Sequence, residues 1–159
     1  MKIPVTLKHK PVVVAEDYDN VAGRDQYKSD AKGLSLGLAQ WNERGKVDIS
    51  AKVWRHTGEK WSRQSEELPL YRVLDLAILT CRTLEYFREA YRIPGLYDPQ
   101  NPRIDRIPLQ GDAMTLELCL DNPMLPEDVA LFSEALAKDD ELIGERLRVL
   151  ADITKKLGY

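Results

Sequence analysis

Long apolar runs are missing from this chain, whose longest stretches of consecutive hydrophobic residues span only four positions. A membrane-spanning helix needs roughly 20 such residues, so none is predicted. The N-terminal residues 1–4 also lack the apolar core of a secretory signal. Charged residues make up 31% of the sequence, which is ordinary for a globular protein. The sequence therefore predicts a cytoplasmic protein with a single α+β domain over residues 1–159.

Cysteine and histidine are scarce, with two of each in 159 residues. His9, His56, Cys81 and Cys119 show none of the short spacings of a zinc site, so no metal site is predicted. Both cysteines lie on predicted apolar faces and are expected to be buried thiols in a reducing compartment. A nucleophile elbow and a phosphate-binding glycine loop in its proper context are both lacking, so no cofactor is predicted.

The net charge of −3 is unevenly distributed along the chain. Residues 32–68 carry seven basic and five acidic residues, whereas residues 111–159 carry five basic and eleven acidic ones. A polyanion would be repelled by the C-terminal third and tolerated only by the middle of the chain. A nucleic-acid partner would therefore have to bind in the middle.

Hydrophobic periodicity predicts an antiparallel meander sheet covered by one long amphipathic helix, with two helices at the C-terminus. The predicted strands are residues 11–15, 33–41, 47–55, 60–65 and 115–120. The predicted helices are a long one that Pro69 opens and Pro94-Gly95 ends, one over residues 126–137, and one from Asp140 to about residue 157. Residues 16–31 and 94–112 are predicted to be loops. The core of sheet and helix is thus expected over about residues 33–92, and the C-terminal helical part over about 126–157.

The strand over residues 33–41 has two unlike faces. Leu34, Leu36 and Leu38 share one face, which the long helix is expected to cover. The opposite face has only small residues, namely Gly33, Ser35, Gly37 and Ala39. Such a face admits a closely packed helix or leaves room for a ligand. If the helix covers the leucines, Trp54 and Lys52 on the next strand face outward.

All three tryptophans fall within one 21-residue stretch that also carries lysine and arginine. Aromatic side chains beside cations on a sheet are what single-stranded nucleic acids stack on. The leading hypothesis is therefore a small binding module, forming a homodimer, that holds single-stranded DNA or RNA. The candidate nucleic-acid-binding residues are Trp41, Lys52, Trp54, Arg55, Lys60, Trp61 and Arg63.

Two alternatives from other classes stay open. In the first, the aromatic face is an interface of a protein- or small-ligand-binding module, and Trp54 fills a dimer interface or lies under the C-terminal helices. In the second, Asp105, Arg106 and Asp112 form an enzyme site between the 94–112 loop and the sheet. Buried tryptophans, with the basic residues paired to acids, would argue against the nucleic-acid hypothesis.

Residues 32–79 resemble the single-stranded-DNA-binding domain of the transcriptional positive cofactor four family. The likeness rests on Lys32-Gly33, Trp41-Asn42, Asp48-Ile49 and Trp54, followed by a strand and a long helix. The resemblance implies a dimer that grips single strands along its sheet, with roles for Lys52, Trp54, Lys60 and Arg63. The chain departs from the family pattern at Ser50 and at Gln64-Ser65-Glu66-Glu67, where basic residues are expected. The whole chain also resembles an uncharacterised bacterial family of similar length, which implies no activity.

Overall fold

The structure is a computed structural model. It describes residues 2–21, 29–92, 98 and 100–159, without the side chains of residues 90–92. The α+β class is confirmed: an antiparallel four-stranded sheet, a second small sheet, one long helix and two C-terminal helices. The chain forms two compact units, Met1–Ala77 and Ile78–Tyr159, called here the N-terminal and C-terminal units. That residues 1–159 form a single domain stays a prediction. Among the described residues, no helix is long and apolar enough to cross a membrane.

The N-terminal unit is built on a sheet of four antiparallel strands in the order β1-β2-β3-β4. The strands are β1 (Lys10–Glu16), β2 (Ala31–Leu38), β3 (Ile49–Arg55) and β4 (Glu67–Pro69), and a short 3-10 helix spans Tyr18–Val21. The edge strand β1 carries Pro11 and a register shift between Pro11 and Val13. Both features discourage pairing with a further strand, although Val12 and Val13 are exposed.

The two faces of this sheet are reversed relative to the prediction. On the aliphatic face, Leu36, Leu38 and Ile49 are 38%, 40% and 48% exposed. On the opposite face, Trp54 is 1% and Lys52 is 8% exposed. The expectation that Trp54 and Lys52 face outward is therefore wrong, because the small-residue face is the buried one.

The chain's own N-terminal segment, residues 2–9, explains this reversal. Ile3 and His9 from this segment are buried, at 5% and 0% exposure. A Cβ added at Gly33 would lie 2.7 Å from Cδ1 of Ile3, and one added at Gly37 would lie 2.1 Å from the carbonyl oxygen of Lys10. The small residues of β2 thus make room for the preceding chain, and not for a helix or a ligand as the sequence suggested.

The predicted strand over residues 60–65 is also wrong. After an isolated bridge between His56 and Trp61, the chain turns, and its next strand is the three-residue β4. Within the turn, the backbone N–H of Gln64 donates to the Ser62 hydroxyl. Such local bonds from serine offer the backbone an alternative to a sheet ladder.

The C-terminal unit contains a second antiparallel sheet, whose first strand lies within the predicted 94–112 loop and whose second strand overlaps the predicted strand over residues 115–120. The long helix α1 (Leu70–Arg92) precedes β5 (Arg103–Pro108) and β6 (Ala113–Glu117), which α2 (Leu125–Lys138) and α3 (Asp140–Lys156) follow. A register shift between Arg103 and Asp105 interrupts the alternation of β5, which hid this strand in the sequence. Pro94 and Gly95, the predicted end of α1, lie outside the described residues.

Leucines form the buried core of the C-terminal unit, with Leu84, Leu116 and Leu118 at 9%, 4% and 8% exposure. Cys81 and Cys119 are free thiols that lie exposed at the surface. The prediction that both cysteines are buried is therefore wrong.

Candidate functional site

Three polar side chains form a row across the buried face of the N-terminal sheet. The register pairs Ser35 of β2 with Lys52 of β3, and Lys52 with Glu67 of β4. The Lys52 ammonium lies 3.5 Å from Oε2 of Glu67, and these side chains are only 8% and 2% exposed. Because each charge has an oppositely charged partner, Lys52 and Glu67 form a buried ion pair within the core.

His9 joins this row from the N-terminal segment. Its Nδ1 lies 3.2 Å from Oε1 of Glu67 and 3.1 Å from Oγ of Ser50, while its Nε2 lies 2.9 Å from Oγ of Ser35. Because a carboxylate only accepts, the contact with Glu67 places a proton on Nδ1 of His9. The His9 ring thereby fastens the N-terminal segment to the sheet.

The order Ser35–His9–Glu67 has the connectivity of a serine-hydrolase triad. The Ser35 residue is, however, only 6% exposed, and its oxygen already accepts the indole N–H of Trp54 at 2.8 Å. A nucleophile must reach its substrate, and this hydroxyl has no open approach. The three residues therefore act as a structural latch in this fold.

Trp54 lies at the centre of the same cluster. Besides donating to Ser35, its ring packs edge-on against His9 and Trp61, with ring centroids 5.9 and 6.1 Å apart. The Lys52 ammonium lies 4.5 Å from the centroid of the Trp54 ring, a cation–π contact. The protein's own side chains therefore surround this indole, which is 1% exposed.

The Glu67 carboxylate is the anionic end of the network. Burial alone would raise the pKa of Glu67, but hydrogen bonds from the Gln40 N–H and the Ser50 hydroxyl, with positive charge at His9 and Lys52, outweigh it. The net result is a pKa of Glu67 below its usual value. Glu67 therefore stays ionised in the fold.

Arg55 at the end of β3 is held by two carboxylates. Its guanidinium donates to Glu66, with Nη2 and Oε1 2.5 Å apart, and also to Asp30. Glu66 and Asp30 raise the pKa of Arg55, mainly through these hydrogen bonds, and Arg55 lowers that of Glu66. The cation is neutralised within the N-terminal unit, so a phosphate would have to compete with two acids.

Trp41 lies apart from the other two tryptophans. It follows β2 in the hairpin to β3, is 36% exposed, and donates its indole N–H to Oδ2 of Asp48 at 2.9 Å. Trp54 and Trp61 contact each other near the opposite end of β3. The length of a seven-residue strand, on the order of 20 Å, therefore separates Trp41 from this pair.

The remaining three candidates meet in one surface pocket. Lys60, Trp61 and Arg63 line a cavity of about 470 Å³, together with Thr57, Ser62 and Gln64. Trp61 is partly exposed, and its ring packs edge-on against His56 at 5.1 Å between centroids. Neither Lys60 nor Arg63 forms an ion pair with any described acid. We call this cavity the 57–64 pocket.

The structure thus divides the seven predicted residues into four groups. Lys52 and Trp54 are buried, Arg55 is neutralised by acids, and Trp41 lies at the far hairpin. The fourth group, in the 57–64 pocket, consists of Lys60, Trp61 and Arg63. Sequence reasoning missed His9, Ser35 and Glu67, which lie far apart along the chain. The alternation placed Ser35 and Lys52 on their strands, but no sequence pattern shows that the N-terminal segment crosses them.

The enzyme alternative receives no support from the side chains in question. Asp105 pairs with Arg82 at 3.0 Å, and Arg106 approaches Asp112 at 3.8 Å with both side chains well exposed. Asp105, Arg106 and Asp112 do not line the 57–64 pocket or either of two further cavities, one beside Cys81 and Leu147 and one beside Leu116 and Phe132. Within the described part of the chain, no group of three or more metal-ligating side chains is close enough to hold an ion.

Comparisons with known proteins give one match. No curated protein and no solved structure matches this chain. The likeness of residues 32–79 to the transcriptional positive cofactor four family therefore rests only on the residues named for it. One family model matches residues 1–159, the whole chain. The protein belongs to this family, DUF6530, a family of unknown function.

Proposed function

We propose that the chain is a small binding module that holds single-stranded nucleic acid at the 57–64 pocket. One base stacks on Trp61, and neighbouring phosphates pair with Lys60 and Arg63. A single observation carries this proposal: a partly exposed indole shares a pocket with two cations that have no described acidic partner. Aromatic rings beside cations are the recurring means of gripping unpaired bases without reading their sequence.

The size and chemistry of the pocket agree with such a ligand. Its volume of about 470 Å³ lies within the range of roughly 300–1,000 Å³ typical of small-ligand sites. Thr57, Ser62 and Gln64 supply hydroxyl and amide groups that can bond a sugar or a base edge. Duplex bases are stacked on each other, so only an unpaired base can lie on Trp61.

The proposed site is smaller than the sequence suggested, and this limits its affinity. One stacked base contributes roughly 1–3 kcal/mol, and two phosphate contacts add a salt-dependent term. Glu59 is an exposed acid within the same turn and weakens the local positive potential. We therefore expect weak binding that is strongly sensitive to salt.

The test is a fluorescence-anisotropy titration of a labelled, mixed-sequence 12-mer of single-stranded DNA at low and at physiological salt. The variant Lys60→Gln with Arg63→Gln removes both pocket cations. The matched control, Arg44→Gln with Lys46→Gln, removes the same charge from the exposed β2–β3 hairpin near Trp41. The control separates pocket contacts from general attraction to a basic surface.

We expect the pocket variant to lose affinity and to flatten the slope of log K against log salt by about 1.4, or 0.7 per phosphate. The hairpin control should retain the slope of the natural sequence. Equal losses in both variants, or no binding at low salt, would contradict the proposal. That outcome would leave the alternative hypothesis of a protein- or small-ligand-binding module.

A further inference from the structure

A second cavity, of about 280 Å³, lies within the C-terminal unit among α1, the β5–β6 sheet and α2. Its wall is mostly apolar and includes Leu79, Phe87, Leu116, Leu118, Val129 and Phe132. Leu116 and Leu118 form its buried floor at 4% and 8% exposure, whereas Leu79 and Phe132 are 42% and 44% exposed. The cavity is therefore open to solvent on one side.

The charged residues in the described wall of this cavity are acidic. Glu117 and Asp128 line the cavity, and none of its described lining residues is basic. Asp128 accepts a 2.8 Å hydrogen bond from the Asn122 amide through Oδ2, and no bond is described at its other oxygen. Glu117 lies opposite Arg103 in the register of β5 and β6, so a basic residue neighbours this carboxylate on the sheet. Asp128 is thus the carboxylate best placed to receive a cation.

We infer that this cavity binds a small amphiphilic cation, with an alkyl or aryl body inside and an ammonium group at Asp128. Apolar walls favour a hydrocarbon body, and the carboxylates favour a positive head over a neutral or negative one. Phe87 and Phe132 both line the cavity, with ring centroids 5.0 Å apart, and the face of an aromatic ring attracts a cation.

This inference does not depend on the proposed nucleic-acid site. The two cavities share no residue and lie in different units of the chain. The preferred ligands also have opposite charge. Failure of one proposal therefore leaves the other standing.

The test uses three probes with the same six-carbon body: hexylammonium, hexanol and hexanoate. Each is titrated into the isotope-labelled full chain at constant ionic strength, and methyl chemical shifts are followed by NMR. The variant Asp128→Asn removes the charge at the cavity, and Asp121→Asn removes a charge from an exposed acid outside it. The variant Val129→Phe fills the cavity, and circular dichroism checks the fold of each variant.

We expect saturable shifts at Leu118 and Val129, with hexylammonium binding about five-fold tighter than hexanol, as a partly exposed ion pair would give. Hexanoate should bind weakest. Asp128→Asn should bring hexylammonium to the affinity of hexanol and leave hexanol unchanged, while Asp121→Asn should change neither. Equal affinities for the three probes, insensitivity to Asp128→Asn, or an absence of saturable shifts at these methyls would overturn the inference.

Discussion

The indole N–H of Trp54 donates to the hydroxyl oxygen of Ser35, 2.8 Å away on the neighbouring strand. Trp54, which the sequence suggested as a base-stacking residue, is therefore a residue of the buried core. A stacking role is left to Trp61, which contacts Trp54 but is partly exposed in the 57–64 pocket. We therefore expect Trp54 to contribute to stability and Trp61 to ligand binding, and substitutions should distinguish these two roles.

Trp54→Phe should lower the free energy of unfolding by about 2–3 kcal/mol, because it leaves a void and removes a buried hydrogen bond. Trp61→Phe should cost less than about 1 kcal/mol, because that ring is partly exposed. Urea unfolding followed by far-ultraviolet circular dichroism measures both. Similar losses in the two variants would show that Trp61 is as much a core residue as Trp54.

The Lys52–Glu67 pair should show strong coupling in a double-mutant cycle. Glu67→Gln alone leaves a buried ammonium without its partner and should cost about 3–5 kcal/mol. Adding Lys52→Met should recover about 1–3 kcal/mol relative to the sum of the single losses. The exposed pair Asp152 and Lys156 is the control, with an expected coupling of about 0.3–0.5 kcal/mol. Coupling as small as in this control would contradict a buried pair.

Acid should destabilise the fold partly through Glu67. The pKa of Glu67 is lowered by folding, so its contribution is fully present above the unfolded value near 4.5 and is lost as pH falls through the folded value. Free energies of unfolding, measured by urea at decreasing pH, should therefore fall more steeply for the natural sequence than for Glu67→Gln. Parallel curves for the two proteins would refute this role.

Gly37→Ala should be strongly destabilising, because its Cβ would lie 2.1 Å from the Lys10 carbonyl oxygen and 2.8 Å from Cα of Pro11. Backbone atoms cannot yield as a flexible side chain does, so we expect a loss of about 3 kcal/mol or more. Gly111→Ala is the control, since nothing lies within 4 Å of the added Cβ. Its thermal midpoint should be unchanged within about 2 °C. A tolerated Gly37→Ala would show that the backbone of β1 at Lys10 and Pro11 does not approach β2 so closely.

Local patterns predicted most of the elements but not how the faces are used. The alternation of Leu34, Leu36 and Leu38 with small residues correctly indicated β2, and the apolar stripe after Pro69 correctly indicated α1. Which face is buried depends on contacts between distant residues, such as Ile3 with Gly33. Periodicity carries no information about these contacts, so it predicts that the leucine face is the buried one.

For the candidate site, the sequence reveals which residue types are present but not which of them are accessible. The sequence shows that cations and tryptophans cluster within residues 41–63, but their neighbours in the fold decide which of them are available. Glu66 and Asp30 neutralise Arg55, and Glu67 holds Lys52, across separations that no sequence spacing reveals. The acids that weakened the family resemblance at Glu66-Glu67 are the same residues that hold these cations in the fold.

The most direct test of the central claim is the quenching of Trp61 fluorescence by a single-stranded oligonucleotide in a Trp41→Phe background. The account predicts saturable quenching that weakens as salt rises and disappears when Trp61→Phe is added, since Trp54 is buried. Quenching that persists without Trp61, or fluorescence that does not change at low salt, would contradict nucleic-acid binding at the 57–64 pocket.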